Sequence, residues 1–301
     1  MSEKPVVGLL HPGEMGSAIG ATLVASGNRV LWASAGRGVQ TRERAAGLGL
    51  EDAGSVEALV KQAATVLSVA PPHAALDVAR EVAGFRFRGI FVDANAIATE
   101  TTLTIKGLIE DAGGRFVDGG IIGPANRKPG AARIYLAGTE AGAVKRLLDA
   151  GPVTPIVLEG APPAASALKI AYGGWNKASQ ALLMAIRAYA LAEGVDEALL
   201  AEWALSQPDL PARSHRAVND NARKAWRFVG EMEEDARALA QAGLPAGFHA
   251  AAADIYQRLA AYKDTATPPG VAEALAELLK AAPLTARGPA SGPARPGTRP
   301  G

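Results

Sequence analysis

The residues whose spacing points to chemistry begin at the end of the first apolar run. The segment GLLHPGEMG, residues 8–16, places His11, Gly13 and Gly16 at the three positions of a G-x-G-x-x-G turn. In such a turn the second glycine lets the backbone approach a diphosphate, and the helix that follows offers free N–H groups to it. Pro12 predicts an extended conformation for His11, so that stiffness replaces the missing first glycine. We therefore expect a dinucleotide cofactor to contact His11, Pro12, Gly13, Glu14, Met15 and Gly16.

The end of the second predicted strand indicates which nicotinamide nucleotide binds. A turn that holds NAD is usually followed, about 20 residues later, by an acidic residue for the ribose hydroxyls. Here that position holds Ala33 and Ser34. Ser34 can donate a hydrogen bond to a phosphate, and Arg37, with Arg42 and Arg44 beyond it, can neutralise one. The pattern favours NADP, with NAD as the alternative cofactor.

Composition restricts the classes of protein and site. The 301 residues are enough for two domains, and 49% of them are hydrophobic, so a large core can form. The formal charge of +1 gives no reason to expect nucleic acid or an acidic membrane as a partner. Cysteine is absent and the four histidines lack the spacing of metal ligands, so we expect no metal. Neither a signal peptide nor a membrane span is indicated, which predicts a cytoplasmic protein.

Apolar runs that alternate with amphipathic segments predict an α/β fold. Residues 1–161 should form a Rossmann-type, doubly wound parallel sheet that binds the nucleotide. A helix is expected from Glu14 to about Ser26, with Gly27 as its stop. The predicted strands are 5–10, 29–33, 65–70, 89–94, 115–120, 133–138 and 155–159.

The pattern changes near residue 160 and predicts an all-helical C-terminal domain over 162–282. A long helix over 162–194 should connect the two domains. Further helices are predicted over 196–206, 215–241, 246–263 and 270–282. The Pro/Gly-rich end, 283–301, cannot bury a core, and we expect it to be disordered.

Three segments together resemble the β-hydroxyacid dehydrogenases. They are the Gly-x-Met-Gly element at 13–16, VDGGIIGPANRKPGAARIYLAG at 117–138 and ALKIAYGGWNKAS at 167–179. That family includes 3-hydroxyisobutyrate dehydrogenase and is related to 6-phosphogluconate dehydrogenase. The similarity extends over about residues 5–180, and the C-terminal half resembles a branch whose helical domain is uncharacterised.

The resemblance implies that Lys169 is a general acid/base, since it matches the lysine of the family's K-x-x-N-N segment. A lysine buried beside an oxidised nicotinamide should lose its proton readily. Helical spacing places Tyr172, Gly173 and Asn176 on the same face. Gly173 stands where the family has its second asparagine, so the substrate contact of that asparagine is lost. Asn176 is the candidate to replace this contact, and Tyr172 is a candidate to donate a proton. Lys177 also lies near this face, and simple packing is an equal alternative for Tyr172 and Trp175.

The resemblance also locates the substrate loop and the remaining cofactor contacts. The family's Ser-Gly-Gly, which grips a carboxylate, aligns with Ile122, Gly123 and Pro124, so the serine hydroxyl is lost. Substitute donors are available nearby in Asn126, Arg127 and Lys128. The residues that match its cofactor-lining positions are Val69, Ala70, Pro71 and Asn95. In the helical domain, the candidates to face the substrate cleft are His249, Glu231 and Glu234. For the two glutamates the simpler interpretation is a solvated, charged helix face with a pair such as Glu233–Arg237.

Three functions are consistent with these residues. The first is an NADP-linked oxidoreductase acting on a small hydroxy or carbonyl compound, with Lys169 as acid/base. The second is an imine reductase on the same fold, favoured by loss of the loop serine. The third is a non-catalytic nucleotide sensor. For all three we expect a homodimer, because helical domains of this family usually pair and the faces of 179–193 and 246–261 are rich in alanine.

Overall fold

A computed structural model describes residues 5–125, 128–263 and 265–280. It confirms the α/β fold with a helical C-terminal region. One sheet of eight strands has the order β3-β2-β1-β4-β5-β6-β7-β8. The strands are β1 Val6–Leu10, β2 Arg29–Trp32, β3 Glu51–Asp52, β4 Thr65–Ser68, β5 Ile90–Asp93, β6 Arg115–Ile122, β7 Ala132–Ala137 and β8 Val153–Val157.

The sheet is parallel from β3 through to β6, and only the β6–β7 pair is antiparallel. The first six strands therefore have the order of a dinucleotide-binding sheet. The direction of winding reverses between β1 and β4, which are hydrogen-bonded neighbours although β2 and β3 separate them in the chain. Ligands of such sheets bind at this switch point, beyond the carboxyl ends of the strands.

Helices cover both faces of the sheet. They are α1 Glu14–Ala25, α2 Val39–Gly47, α3 Val56–Val60, α4 Ala75–Gly84, α5 Thr99–Asp111 and α6 Ala141–Arg146. Because both faces are covered, the central strands are continuously apolar and buried, and they contribute to two separate cores. Helix α1 ends where predicted, since Gly27 adopts a φ of 73° and its N–H bonds the carbonyl of Val24.

From residue 164 onward the described part of the chain is helical. The helices are α7 Ala164–Ala192, α8 Asp196–Ser206, α9 Leu210–Asn221, α10 Ala225–Gln241, α11 Gly247–Arg258 and α12 Val271–Leu279. They surround a core that includes the fully buried Tyr256, Met184 and Met232. Within the described ranges, no helix is long and apolar enough to cross a membrane. The expectation of a disordered tail over 283–301 lies outside the described residues.

The prediction of one helix over 215–241 is wrong. Helix α9 already begins at Leu210, where Pro211 suits a first helical turn. It ends at Asn221, and a short 3₁₀ turn over Ala222–Lys224 separates it from α10. Asn221 is buried and its side-chain amide donates to the Ala217 carbonyl and to Gln180, so the chain is tied to α7 at the break.

Candidate functional site

The turn after β1 has a different conformation from the one predicted. His11 has a φ of 65°, in the left-handed region that favours glycine, and the expectation of an extended His11 is therefore wrong. The Gly13 N–H bonds the His11 carbonyl at 2.7 Å, which makes a three-residue turn centred on Pro12. A non-glycine residue in this region costs about 1–2 kcal/mol. His11 thus occupies the position of the first glycine of the turn, and it adopts the backbone conformation that glycine would adopt there. Its backbone is therefore strained.

The two remaining glycines have different reasons to be glycine. A Cβ on Gly16 would lie 2.2 Å from the His11 carbonyl oxygen, so only glycine allows α1 to pack against the turn. A Cβ on Gly13 would meet no atom within 4 Å. No hydrogen bond among the described residues uses the N–H groups of Glu14, Met15 or Gly16. The open face of Gly13 and these unpaired donors fit a diphosphate at the start of α1.

Charged groups surround the end of β2. Ser34 is buried, and hydrogen bonds from it hold the pKa of Asp52, the last residue of β3, below its ordinary value. Arg42 donates to the carbonyls of Ser34 and Arg37, at 3.0 and 3.1 Å, and so shapes the loop. Burial, assisted by the positive charge of Arg37, lowers the pKa of His11 to about 4. Asp52 was not among the residues predicted here, because it belongs to a different strand.

Asn95 supports the loop after β4. Its side chain is buried, accepts a hydrogen bond from the Ala70 N–H and donates to Asp93 and Ser68. Burial raises the pKa of Asp93 to about 7, although hydrogen bonds from Asn95 oppose the shift. Asn95 thus joins the end of β5 to the Val69–Pro71 loop.

The first turn of α7 is anchored to β6 by Asp118. This fully buried carboxylate accepts hydrogen bonds from the Ala165 N–H at 2.7 Å and from the Ser166 N–H and hydroxyl. Donors at a helix start otherwise lack partners, so Asp118 caps α7 from the sheet. A Cβ on Gly120 would lie 2.4 Å from the Ala165 carbonyl, which shows how closely the helix lies on the strand.

This anchoring places Lys169 one turn further along α7, at the end of β6. Its Nζ donates to the Ile121 carbonyl at 3.1 Å. Burial lowers the pKa of Lys169, and the Lys177 ammonium acts in the same direction, whereas the Glu231 and Asp235 carboxylates oppose it. The environment therefore favours the neutral amine more than water does.

The other residues predicted on this face of α7 have different environments. Tyr172 and Trp175 are 48% and 70% exposed. The Asn176 amide donates one hydrogen bond to the Tyr172 carbonyl of its own helix at 2.9 Å. The residue nearest to Gly173 is Lys177, whose Nζ is 3.7 Å from a Cβ built there and which is paired with Glu231.

Helices α10 and α11 bring two further groups to α7. The Nε2 of His249 lies 2.8 Å, and the Oδ2 of Asp235 3.5 Å, from a Cβ built on Gly174. Asp235 is only 5% exposed and accepts no hydrogen bond among the described residues. Its burial raises its pKa to about 7. The sequence does indicate that Asp235 is unusual. Phe228, Met232 and Leu239 define the apolar face of this helix, and Asp235 is a charged residue on the same face.

The two candidate glutamates have defined partners. Glu231 pairs with Lys177, whereas Glu234 accepts a hydrogen bond from the Ala98 N–H at 2.9 Å and also pairs with Arg237. The expected Glu233–Arg237 pair is thus replaced by Glu234–Arg237. Glu234 ties α10 to the start of α5, and the negative charge of Glu231 favours the charged form of Lys169.

The predicted substrate loop contributes backbone more than side chains. Ile122 is buried in the sheet, and Gly123 has a φ of 122° with its Cβ position 2.4 Å from the Ala131 carbonyl. Pro124 is exposed and has no N–H to donate. Asn126 and Arg127 lie outside the described residues, and Lys128 is exposed.

Two families match this chain. Residues 6–150 match the NAD binding domain of 6-phosphogluconate dehydrogenase, and residues 190–259 match a domain of unknown function (DUF1932). An uncharacterised 28.5 kDa protein of Methanothermus fervidus is 32% identical over 166 residues, which are 55% of this chain and 63% of that protein. The match therefore spans less than two thirds of the relative's length.

Solved structures share the fold. One is a conserved protein of unknown function with structural similarity to 3-hydroxyacid dehydrogenases, at 28% identity and a TM-score of 0.69, covering 85% of this chain and 97% of that one. Another is 3-hydroxyisobutyrate dehydrogenase of Mycobacterium tuberculosis with L-serine, at 20% identity and a TM-score of 0.68, covering 92% and 99%. The resemblance inferred from the sequence motifs is confirmed.

Proposed function

We propose that this chain is an NAD(P)-dependent oxidoreductase. The matches to the NAD binding domain of 6-phosphogluconate dehydrogenase and to a DUF1932 domain support the proposal. Its substrate in this proposal is a small hydroxy or carbonyl compound, and Lys169 is the general acid/base. The observation that carries the proposal is the position of the partly buried Lys169 amine, held by the Ile121 carbonyl at the same edge of the sheet as the dinucleotide turn.

The chemistry needs one proton for each hydride. A bound nicotinamide supplies or removes the hydride at the substrate carbon. Oxidation of an alcohol also releases the hydroxyl proton, and reduction of a carbonyl needs a proton at oxygen. The neutral Lys169 amine accepts the proton in the first direction, and the ammonium returns it in the second. The lowered pKa of Lys169 increases the fraction of neutral amine available for oxidation.

The test compares Lys169→Met with the wild type on a panel of hydroxyacids, ketones and imines, followed by nicotinamide absorbance. We expect turnover to fall by about 10³-fold, within the range of general acid/base effects, while NADPH affinity is retained. Lys106→Met, which removes a partly exposed lysine of α5, is the matched control. Unchanged turnover in Lys169→Met would exclude the acid/base role. A wild type that binds NADPH but turns over no panel member would favour the nucleotide sensor.

NADP is the proposed cofactor on the basis of charge. Arg37 and Arg42 supply positive charge at the end of β2, whereas the Asp52 carboxylate opposes a phosphate there. We expect the two arginines to dominate. Fluorescence titration with both reduced nucleotides tests this, and tighter binding of NADH than NADPH would contradict it.

A homodimer is proposed from the surface of α7. Exposed apolar side chains recur along about 25 Å of this helix, at Tyr172, Trp175, Leu182, Ile186 and Tyr189. The alanines that suggested pairing in the sequence, such as Ala181, Ala188 and Ala252, are instead buried within one chain. Light scattering should give about twice the 30.8 kDa mass of one chain, and Leu182→Glu should halve it. A monomeric wild type would contradict this proposal.

Imine reduction is the second candidate, and Asp235 is the observation that favours it. A carboxyl near Lys169 with a pKa of about 7 can donate the proton that converts an imine substrate to its iminium before hydride transfer to carbon. The same panel separates the candidates, because imine turnover that survives Lys169→Met and is lost in Asp235→Asn would assign the reaction to C=N bonds.

A further inference from the structure

An ion pair joins the helical domain to the dinucleotide turn. Arg227 lies in the first turn of α10, and its Nη1 is 2.8 Å from the Oε2 of Glu14, the first residue of α1. The two residues are 213 positions apart in the chain. Their side chains are 43% and 56% exposed. An exposed pair of this kind stabilises a fold by less than about 1 kcal/mol, so its position is more informative than its contribution to stability.

The position of this pair matters for a diphosphate. Glu14 is the first residue of α1, where the N–H groups are unpaired. A diphosphate bound to these groups is negatively charged, and the Glu14 carboxylate would repel it. Arg227 brings a positive charge to the same place from the opposite domain. Glu14 occupies only the Nη1 group, and no other hydrogen bond of this guanidinium occurs among the described residues. The remaining N–H groups of Arg227 are available to a phosphate oxygen.

We infer that Arg227 is a cofactor-binding residue supplied by the helical domain. Its guanidinium binds the diphosphate of the nucleotide while neutralising Glu14, so that cofactor binding fixes α10 against the start of α1. The inference rests on the proposed nicotinamide cofactor. It adds a contact to the cofactor site that no motif in the sequence indicated, since Arg227 lies in the charged run KAWRFVGEMEED.

The test measures the dissociation constant of NADPH by fluorescence for Arg227→Ala and Glu14→Gln. Loss of a charge-assisted contact should weaken binding by about tenfold in Arg227→Ala. Removal of the neighbouring negative charge should leave binding equal or tighter in Glu14→Gln. If the pair only held the two domains together, both variants would weaken binding alike. Direct binding therefore predicts that the dissociation constant of NADPH rises in Arg227→Ala and stays equal or falls in Glu14→Gln. The difference in affinity between the two variants should become smaller as the salt concentration increases.

Arg213→Ala is the matched control, because it removes an exposed arginine of α9 and the same unit of charge. It should bind NADPH like the wild type. An Arg227→Ala variant within about twofold of the wild type, or a Glu14→Gln variant weakened as much as Arg227→Ala, would overturn the inference. Failure of the wild type itself to bind NADPH or NADH would instead contradict the proposed function.

Discussion

Two buried carboxyls, Asp118 and Asp235, face the interdomain helix α7 from opposite domains. Asp118 belongs to the sheet and is fully buried, and it accepts hydrogen bonds from Ala165 and Ser166 at the start of α7. Asp235 belongs to α10 and is 5% exposed, and it accepts none among the described residues. Burial raises the pKa of both carboxyls; hydrogen bonds from Ser166 and Ala165 oppose the shift at Asp118, whereas at Asp235 only the charges of Lys177 and Lys169 oppose it.

The difference separates a structural region from a reactive one. On the sheet side, carboxylate and amide groups are used within the protein, as in the hydrogen bonds of Asn95 to Ala70, Asp93 and Ser68. On the helical side, Asp235 keeps unused acceptor capacity, and the buried Nδ1 of His249 has no partner; on the sheet side the same holds for one atom, the Nδ1 of His11 in the dinucleotide turn. Buried polar groups in folded proteins are normally paired. We infer that the sheet positions Lys169, and that Asp235 and His249 on the helical side are left for a ligand beside it.

The largest expected effect is on stability at Asp118. Asp118→Ala leaves the N–H groups of Ala165 and Ser166 buried without acceptors, and we expect a loss of about 3 kcal/mol in the free energy of unfolding. Urea denaturation measures this. Asp118→Asn keeps one acceptor and should lose less. A loss below about 1 kcal/mol in Asp118→Ala would remove the distinction between the two carboxyls.

A smaller effect, of opposite sign, is expected at Asp235. Its pKa is about 7 in the folded protein against an ordinary 3.8. Between these values the folded state binds more protons than the unfolded state, so Asp235 makes wild-type stability fall as pH rises from about 4 to about 7. Asp235→Asn removes this slope, and because the unpaired amide that it buries offsets much of the gain, the net gain over the wild type should be on the order of 1 kcal/mol at neutral pH.

Denaturation of both proteins across that pH range gives the difference directly. Asp93 titrates in the same range, but it is present in both proteins and cancels. A variant that is less stable than the wild type at every pH would show that Asp235 has a hidden structural role.

The smallest effect is expected at the turn itself. His11→Gly and His11→Ala both remove the imidazole, but only alanine keeps the strain of a φ of 65°. The glycine variant should therefore be more stable than the alanine variant by about 1 kcal/mol. Thermal unfolding measures the difference, and equal stabilities would mean that His11 is not strained.

The sequence predicted the fold and the location of the cofactor turn because those depend on local patterns. Apolar runs indicated strands, and Gly13 and Gly16 indicated the turn. The conformation of His11 was missed because the restriction from Pro12 is outweighed by the three-residue turn that Gly13 closes.

Side-chain roles that depend on contacts between distant segments were also missed. Asp52 reaches Ser34 from another strand, and Arg227 reaches Glu14 from another domain. Lys177 approaches Gly173 and pairs with Glu231 from α10, a contact that the sequence did not indicate. Helical spacing places residues on a face, but the partners on that face come from tertiary packing.

The most direct test of the account is the binding of NADPH to the wild type and to Gly13→Val. Gly13 has a φ of −71°, which any residue can adopt, and its Cβ position is open. The variant should therefore fold normally, with a melting temperature within about 2 °C of the wild type. We predict micromolar affinity for the wild type and at least about tenfold weaker binding for Gly13→Val. Equal affinity of the two proteins, or no binding of NADPH and NADH to the wild type at about 1 mM, would contradict the account.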